Sequence, residues 1–100
     1  MAATEVIFHR LAAREYRSAS DWYRERSPEI AERFRGAVDQ AVRRIAANAD
    51  SLPTLTGMNR YVRVQGFPYV LIFRRLDRNV RMVVAVAHTS RRPGYWRRRN

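Results

Sequence analysis

The side chains best suited to chemistry gather near the end of the chain. There, Ala87-His88-Thr89-Ser90-Arg91-Arg92-Pro93-Gly94-Tyr95-Trp96 sets one histidine, two arginines and two aromatic rings in a single run. An imidazole titrates close to neutrality, so His88 has the chemistry of a general acid or base. Beside it, Arg91 would stabilise charge developing on a phosphate, and Tyr95 would stack on a base. The same residues also suit a plain structural end, with His88 satisfied by backbone groups and Trp96 closing a core. A second basic stretch, Arg60-Tyr61-Val62-Arg63-Val64, alternates, placing Tyr61 and Arg63 on one face and Arg60, Val62 and Val64 on the other. Its guanidinium forks match phosphate geometry, or they simply solvate an outer face. In Phe67-Pro68-Tyr69 the proline fixes how the chain enters a strand, with Phe67 expected in the core and Tyr69 more open. The candidate catalytic set is thus His88, Tyr95, Arg63 and Arg91. The candidate target- or nucleic-acid-binding set is Arg60, Arg63, Tyr69, Arg74, Arg91, Arg92 and Trp96. Two distant histidines without cysteine make no metal signature, and neither a glycine-rich phosphate loop nor a nucleophile elbow is present, so no metal or cofactor is expected.

The elements that must hold these groups follow from periodicity. Glu5-Val6-Ile7-Phe8 is a short β-prone run. Residues 11–26 then change to helical spacing, with Ala12, Tyr16, Ala19 and Tyr23 on one stripe. Ser27-Pro28-Glu29 supplies an N-cap side chain, a proline suited to the first helical position and an acid for the helix dipole. From there Ile30, Phe34, Ala37, Val38, Ala41 and Ile45 share a face through about Ala49, so a very short turn joins two antiparallel helices. Ser51-Leu52-Pro53 and Thr56-Gly57 break the helical pattern. Residues 61–65 and 69–76 then read as strands, Asp77-Arg78-Asn79 as a hairpin turn, and residues 80–87 as the most apolar strand, which suits a central position covered on both faces. The expected fold is α+β in the order β-α-α-β-β-β. The helical hairpin would cover one face of a mainly antiparallel sheet and leave the other, arginine-bearing face open.

Composition narrows the function classes. One hundred residues suit a single domain spanning residues 1–100, with a basic aromatic tail at 91–100. With 46% hydrophobic residues the chain can bury a core, so wholesale disorder is excluded. The absence of cysteine excludes a disulfide framework. The Met1–His9 segment lacks leader features, and no apolar run approaches the roughly 20 residues of a membrane span, so a cytoplasmic protein with no membrane partner is expected. All 20 basic residues are arginine and the net charge is +11, a field that favours polyanions or an acidic protein segment, although coding bias also enriches arginine. So basic a domain, free in the cell, would bind nucleic acid indiscriminately, which points to a permanent acidic partner.

Element order and motifs together resemble the RelE/ParE toxin superfamily, and within it the ParE-like, plasmid-stabilisation branch. The resemblance rests on Asp21-Trp22-Tyr23, the stripe of Phe34, Val38 and Ile45, then Arg60, Phe67-Pro68-Tyr69, and Val86-Ala87-His88 followed by Arg91, Pro93 and Tyr95-Trp96. It implies the toxin component of a type II toxin–antitoxin system. Such a growth inhibitor is neutralised by a cognate antitoxin whose acidic or amphipathic segment wraps it, and reaches operator DNA only through that antitoxin. Two targets come with the resemblance: DNA gyrase for ParE-like members, which are not nucleases, and mRNA in the ribosome for RelE-like endoribonucleases. The nuclease pattern matches Arg63 and Tyr95. It departs at Val70, beside Tyr69, and at Thr89, beside His88, where arginines are expected. Loss of charge that stabilises a transition state costs orders of magnitude in rate unless Arg91, Arg74 or His88 substitutes. The resemblance therefore favours a gyrase inhibitor over a nuclease, with a non-toxic, DNA-associated partner of an antitoxin as a third reading.

Overall fold

The computed structural model describes residues 4–100, so the first three residues of the Met1–His9 segment lie outside it. Strand β1 (Glu5–Phe8) gives way at once to helix α1 (Arg10–Arg26). The switch is made by His9, whose Nδ1 accepts the Leu11 N–H at 3.0 Å and caps the helix one residue earlier than the periodicity indicates. Helix α1 buries Ala12, Ala19 and Ser20, with Tyr16 and Tyr23 half-buried beside them. Ser27 stands extended between the helices, and its Oγ accepts the Ile30 N–H at 3.3 Å. With Pro28 at the first helical position, helix α2 (Pro28–Asn48) starts where the sequence indicates. From this one-residue junction α2 folds back along α1, so that Tyr16 and Tyr23 of α1 both meet Phe34 of α2, at 5.9 and 5.0 Å. The buried line on α2 is Ala31, Phe34, Val38, Ala41 and Ile45. Ile30, expected on that line, is instead 39% exposed, because a step of about 100° per residue sets it beside the 31–34–38 row.

After a 3-10 turn at Ala49–Ser51 come β2 (Thr54–Thr56), β3 (Asn59–Val64), β4 (Tyr69–Asp77) and β5 (Val80–His88). The sheet order is β1-β5-β4-β3-β2, with β1 parallel to β5 and the other pairs antiparallel. Strand β2 is an addition to the expected order. It has three residues, all exposed, and it pairs irregularly with β3 where a break alone was expected. The β4–β5 hairpin closes through Arg78-Asn79, because Asp77 already pairs with Val80. The Asp77 Oδ1 accepts the Asn79 N–H at 2.9 Å, an Asx turn. No described residue other than glycine has positive φ, so the turn is not one of the tight primed types; a register shift between Arg75 and Asp77 takes up the mismatch. The side chain of Arg81, on β5, is buried against the Asp77 carbonyl (3.2 Å) and Asp50 (3.6 Å).

The sheet has a core on each face. On the helix side, Val62, Val64, Leu71, Phe73, Val83 and Val86 pack against α1 and α2. On the other, Ile72, Met82, Val84, Ala85 and Ala87 pack against Trp96, which is only 4% exposed. The face expected to stay open is therefore covered in part by the chain's own tail. Strand β5 lies between β1 and β4 and is buried from Arg81 to Ala87, matching the central position that its apolar run indicates. One irregularity governs the site. In the β4–β5 ladder Ile72 faces Ala85 and Phe73 faces Val83, so Val84 is an extra residue. Beyond this bulge the alternation on β5 is inverted.

Candidate functional site: an arginine-lined cleft at the open edge of the central strand

Strand β1 is only four residues long and pairs with residues 80–83 of β5. The His9 N–H adds a last bond to the Val83 carbonyl at 2.9 Å, and among the described residues no strand lies beside β5 further on. The next main-chain groups on that edge are met by side chains. Glu15, from the middle of α1, accepts the Val86 N–H at 3.0 Å, and Arg99 donates to the Val84 carbonyl at 2.9 Å. The two side chains also form a bidentate pair with bonds of 2.9 and 3.0 Å while 14% and 11% exposed. A charged plug of this kind removes the template that an exposed strand edge offers.

The plug also fixes the tail. Arg91 lies 3.5 Å from Glu15, and the guanidiniums of Arg91 and Arg99 sit over the Tyr95 ring at 3.9 and 5.0 Å. Arg74, on the second face, donates to the Arg99 carbonyl. Gly94 makes the bend with φ +81°, where a Cβ would stand 2.9 Å from the Arg97 Nε. Burial pushes the Tyr95 phenol well above its ordinary value and the facing Glu15 carboxylate pushes it further, against the lowering pull of Arg91 and Arg99. Burial raises Tyr69 too, helped by Tyr23 and Glu15, and raises Tyr23 itself. A phenol with a raised folded pKa keeps its contribution to stability below the ordinary tyrosine pKa and loses it as pH rises further. Unfolding free energy should therefore hold steady up to about pH 10 and fall above it. A Tyr95→Phe variant should fall less steeply in urea titrations run across that range.

Next to the plug, between α1 and the end of β5, opens a cleft of about 690 Å³. Leu11, Ala19, Pro68 and Val86 line it together with Trp22, Tyr23, Tyr69, His88, Arg14 and Arg91. The His88 Nδ1 accepts the Ser90 backbone N–H at 3.1 Å. Because that backbone group can only donate, neutral His88 carries its proton on Nε2. The ring meets Tyr69 edge-on at 5.1 Å, and Tyr69 in turn lies 5.4 Å from Phe34, which places His88 on the helix side of the sheet.

The proposed catalytic residues are thus divided between faces. Arg63 pairs with Val70 across β3 and β4, and both line a separate hollow of about 470 Å³ with Tyr61 and Thr89. His88 and Arg91 line the cleft instead, while Tyr95 is half-buried against the second core. Of the binding candidates, Arg63 and Arg92 are exposed, Tyr69 is shared between cleft and hollow, and Trp96 is buried. Arg60, on the helix side with Val62, is engaged at 2.6 Å by the Leu52 carbonyl, and Arg74 by the tail. Sequence reasoning missed Glu15, Arg99 and Arg14. The usable clue was Glu15, an acid three residues after Ala12 and four before Ala19 on a core-facing stripe, where a carboxylate must find a buried partner.

The Glu15–Arg99 plug, the cleft and the tail-covered sheet belong to one small α+β domain. The family described as "ParE toxin of type II toxin-antitoxin system, parDE" matches residues 6–93. The chain belongs to this ParE toxin family. It is thereby the toxin component of a type II toxin–antitoxin system, with a cognate antitoxin as partner. Among solved structures, a chain of the chromosomal ParDE toxin–antitoxin system from P. aeruginosa is similar in fold, with a TM-score of 0.73 and 16% identity. The similarity covers 88% of this chain and 98% of that one. No curated protein matches closely enough to add a relative by sequence. The ParE match stops just short of Tyr95, Trp96 and Arg99, so these tail residues lie outside it, while Glu15 and Arg74, which hold Arg99, lie inside. No helix among the described residues is long and apolar enough to cross a membrane.

Proposed function

We propose that this ParE-family toxin arrests growth by binding DNA gyrase and not by cutting RNA. The observation that carries the reading is the hollow on the second face. Arg63, Val70 and Thr89, the strand positions at which RelE-type nucleases are expected to carry charge, converge there, and only Arg63 is charged. A developing phosphorane would meet one guanidinium where several are required. The remaining candidates do not repair the loss. His88 lies across the sheet, Arg74 is engaged by the tail, and the Tyr95 phenol, raised by burial, is a poor proton acceptor near neutrality. A protein-binding inhibitor needs none of these. It needs an accessible basic surface, which Arg63, Arg91, Arg92 and the exposed arginines of the tail supply.

The test is induction of the chain alone in a bacterial host, with DNA and protein synthesis followed separately, beside a supercoiling assay with purified gyrase. DNA synthesis should stop first, co-expressed antitoxin should restore growth, and supercoiling should fall as toxin is added. Protein synthesis stopping first, with transcripts cut in translating ribosomes, would establish the ribonuclease instead.

A further inference from the structure

The positive charge of this chain is placed unevenly. Residues 1–50, which form β1 and the helical hairpin, hold nine arginines and eight acidic residues, a near balance. Residues 51–100, the remaining strands and the tail, hold eleven arginines and one acidic residue, Asp77. Asp77 is bound into the tip of the β4–β5 hairpin, and Glu5, the acid on β1, pairs with Val80 at that same tip. The hollow lined by Arg63, Val70 and Thr89 lies at the opposite end of the two strands. Glu15, which reaches the tail, is bound there by Arg99. The hollow end of the second face and the tail that covers this face therefore form a positive surface with no uncompensated acidic side chain among the described residues.

Arg63, Arg92, Arg97 and Arg98 are exposed on that surface, and none is held by a described carboxylate. On the hairpin, by contrast, Arg24 and Arg35 meet Asp21 and Glu32 at 2.9 and 3.0 Å. What the surface lacks tells a protein partner from a nucleic acid. Protein interfaces are built around an apolar core from which charge is depleted, whereas interfaces with DNA are more polar and far more positive. The large apolar side chains that stay exposed, Trp22, Ile30, Leu55, Met58 and Leu76, lie on the hairpin, on β2 and the turn after it, and near the β4–β5 tip. The apolar strip of the second face is already covered by Trp96. A single strand would need free ring faces on which to stack its bases. Trp96 is buried, the Tyr95 ring carries the Arg91 guanidinium at 3.9 Å, and Tyr61 is half-buried. A duplex keeps its bases inside and presents rows of phosphates, which guanidinium forks match without rings or apolar anchors. We propose that the second face, from Arg63 to the tail arginines Arg92, Arg97 and Arg98, docks the phosphate backbone of duplex DNA directly, with no antitoxin between them. That the duplex is DNA rests on the gyrase reading above, since gyrase works on duplex DNA; the preference for paired phosphate rows rests on the surface itself.

The experiment uses the full chain and a labelled 20-base-pair DNA duplex of mixed sequence, with binding read by fluorescence anisotropy between 50 and 200 mM salt. The logarithm of the affinity should fall linearly with the logarithm of salt, with a slope of about −3.6 if each of the four arginines meets one phosphate. Arg92→Gln/Arg97→Gln/Arg98→Gln should weaken binding at least tenfold at 50 mM salt and make the slope shallower by about 2.7. Arg17→Gln/Arg33→Gln/Arg43→Gln removes the same charge from exposed sites on the hairpin and should cost less than threefold, with the slope nearly unchanged. The single strand and an RNA duplex of the same length should each bind at least fivefold more weakly, and polyglutamate of equal charge should not displace the DNA. Equal losses in the two variants would overturn the proposal by showing unspecific attraction to net charge. Binding of the single strand or of the RNA duplex as tight as that of the DNA would overturn it too. So would displacement by polyglutamate, which would make the surface a site for an acidic protein. None of these titrations needs gyrase or toxicity. Failure of the chain to inhibit supercoiling would remove the gyrase reading, whereas failure to bind the duplex would remove this proposal and leave that reading standing.

Discussion

Replacing Glu15 with alanine is expected to release the C-terminal tail while the helical hairpin and sheet stay folded. One carboxylate accepts from the Val86 N–H, forms both bonds to Arg99 and lies 3.5 Å from Arg91, so its loss strips three groups of a partner at once. Removing one member of a buried pair costs about 3–5 kcal/mol, and the slight exposure of this pair puts the expected loss at the lower end. The cost falls on the tail because Arg99 belongs to it, while the helix-side core is a cluster of apolar side chains, Phe34, Ile45 and Leu71 among them, to which neither Glu15 nor Arg99 belongs. Limited trypsin digestion should therefore cut at the tail arginines at least tenfold faster than in the wild type, and the Val86 amide should exchange faster. Glu15→Gln, which keeps an acceptor but loses the charge, should fall between the two. A tail as protected in Glu15→Ala as in the wild type would mean that Trp96 holds it without the plug.

How far the sequence disclosed this arrangement depends on whether each feature has a local cause. The helical hairpin does: Ser27-Pro28 caps and starts α2, and the 31–34–38–41–45 spacing repeats the turn of a helix. The alternation that parts Arg60, Val62 and Val64 from Tyr61 and Arg63 is local as well, and the structure keeps it. Strand β2 is hidden because three exposed residues carry no apolar pattern. The position of His88 is hidden for a subtler reason. Strict alternation along β5 would set it with Met82 and Val84 on the face that holds Arg63; the extra residue at Val84 turns it to the other side, and nothing in Val-Val-Ala-Val-Ala marks a bulge. The plug is hidden by distance, since Glu15 and Arg99 lie 84 residues apart. The basic tail reads as solvated surface, yet it folds back because Trp96 has an apolar surface to cover and Arg99 a carboxylate to meet.

The second large effect is expected at Phe34, and it connects stability to the cleft. Phe34 is fully buried, with ring centroids of Tyr16, Tyr23, Phe67 and Tyr69 between 5.0 and 5.9 Å away. Those four rings come from α1, from the β3–β4 turn and from β4, so the Phe34 ring joins the hairpin to the sheet. Phe34→Ala should cost about 3–5 kcal/mol through lost transfer free energy and the cavity left behind. For a domain of this size that lowers the melting temperature by about 15 °C or more. Unlike Glu15→Ala, the loss should appear in every probe at once, since no part of the helix-side core is independent of this ring. Two of its neighbours, Tyr23 and Tyr69, also line the cleft. A fold that survives the substitution should then show a distorted cleft, with the emission of Trp22, which lines it, shifted even where circular dichroism is unchanged. Phe34→Leu, which keeps most of the volume without the ring contacts, separates the two effects. It should recover most of the melting temperature and less of the wild-type Trp22 emission, because filling the core needs volume whereas aiming Tyr69 at His88 needs the edge-on packing of rings.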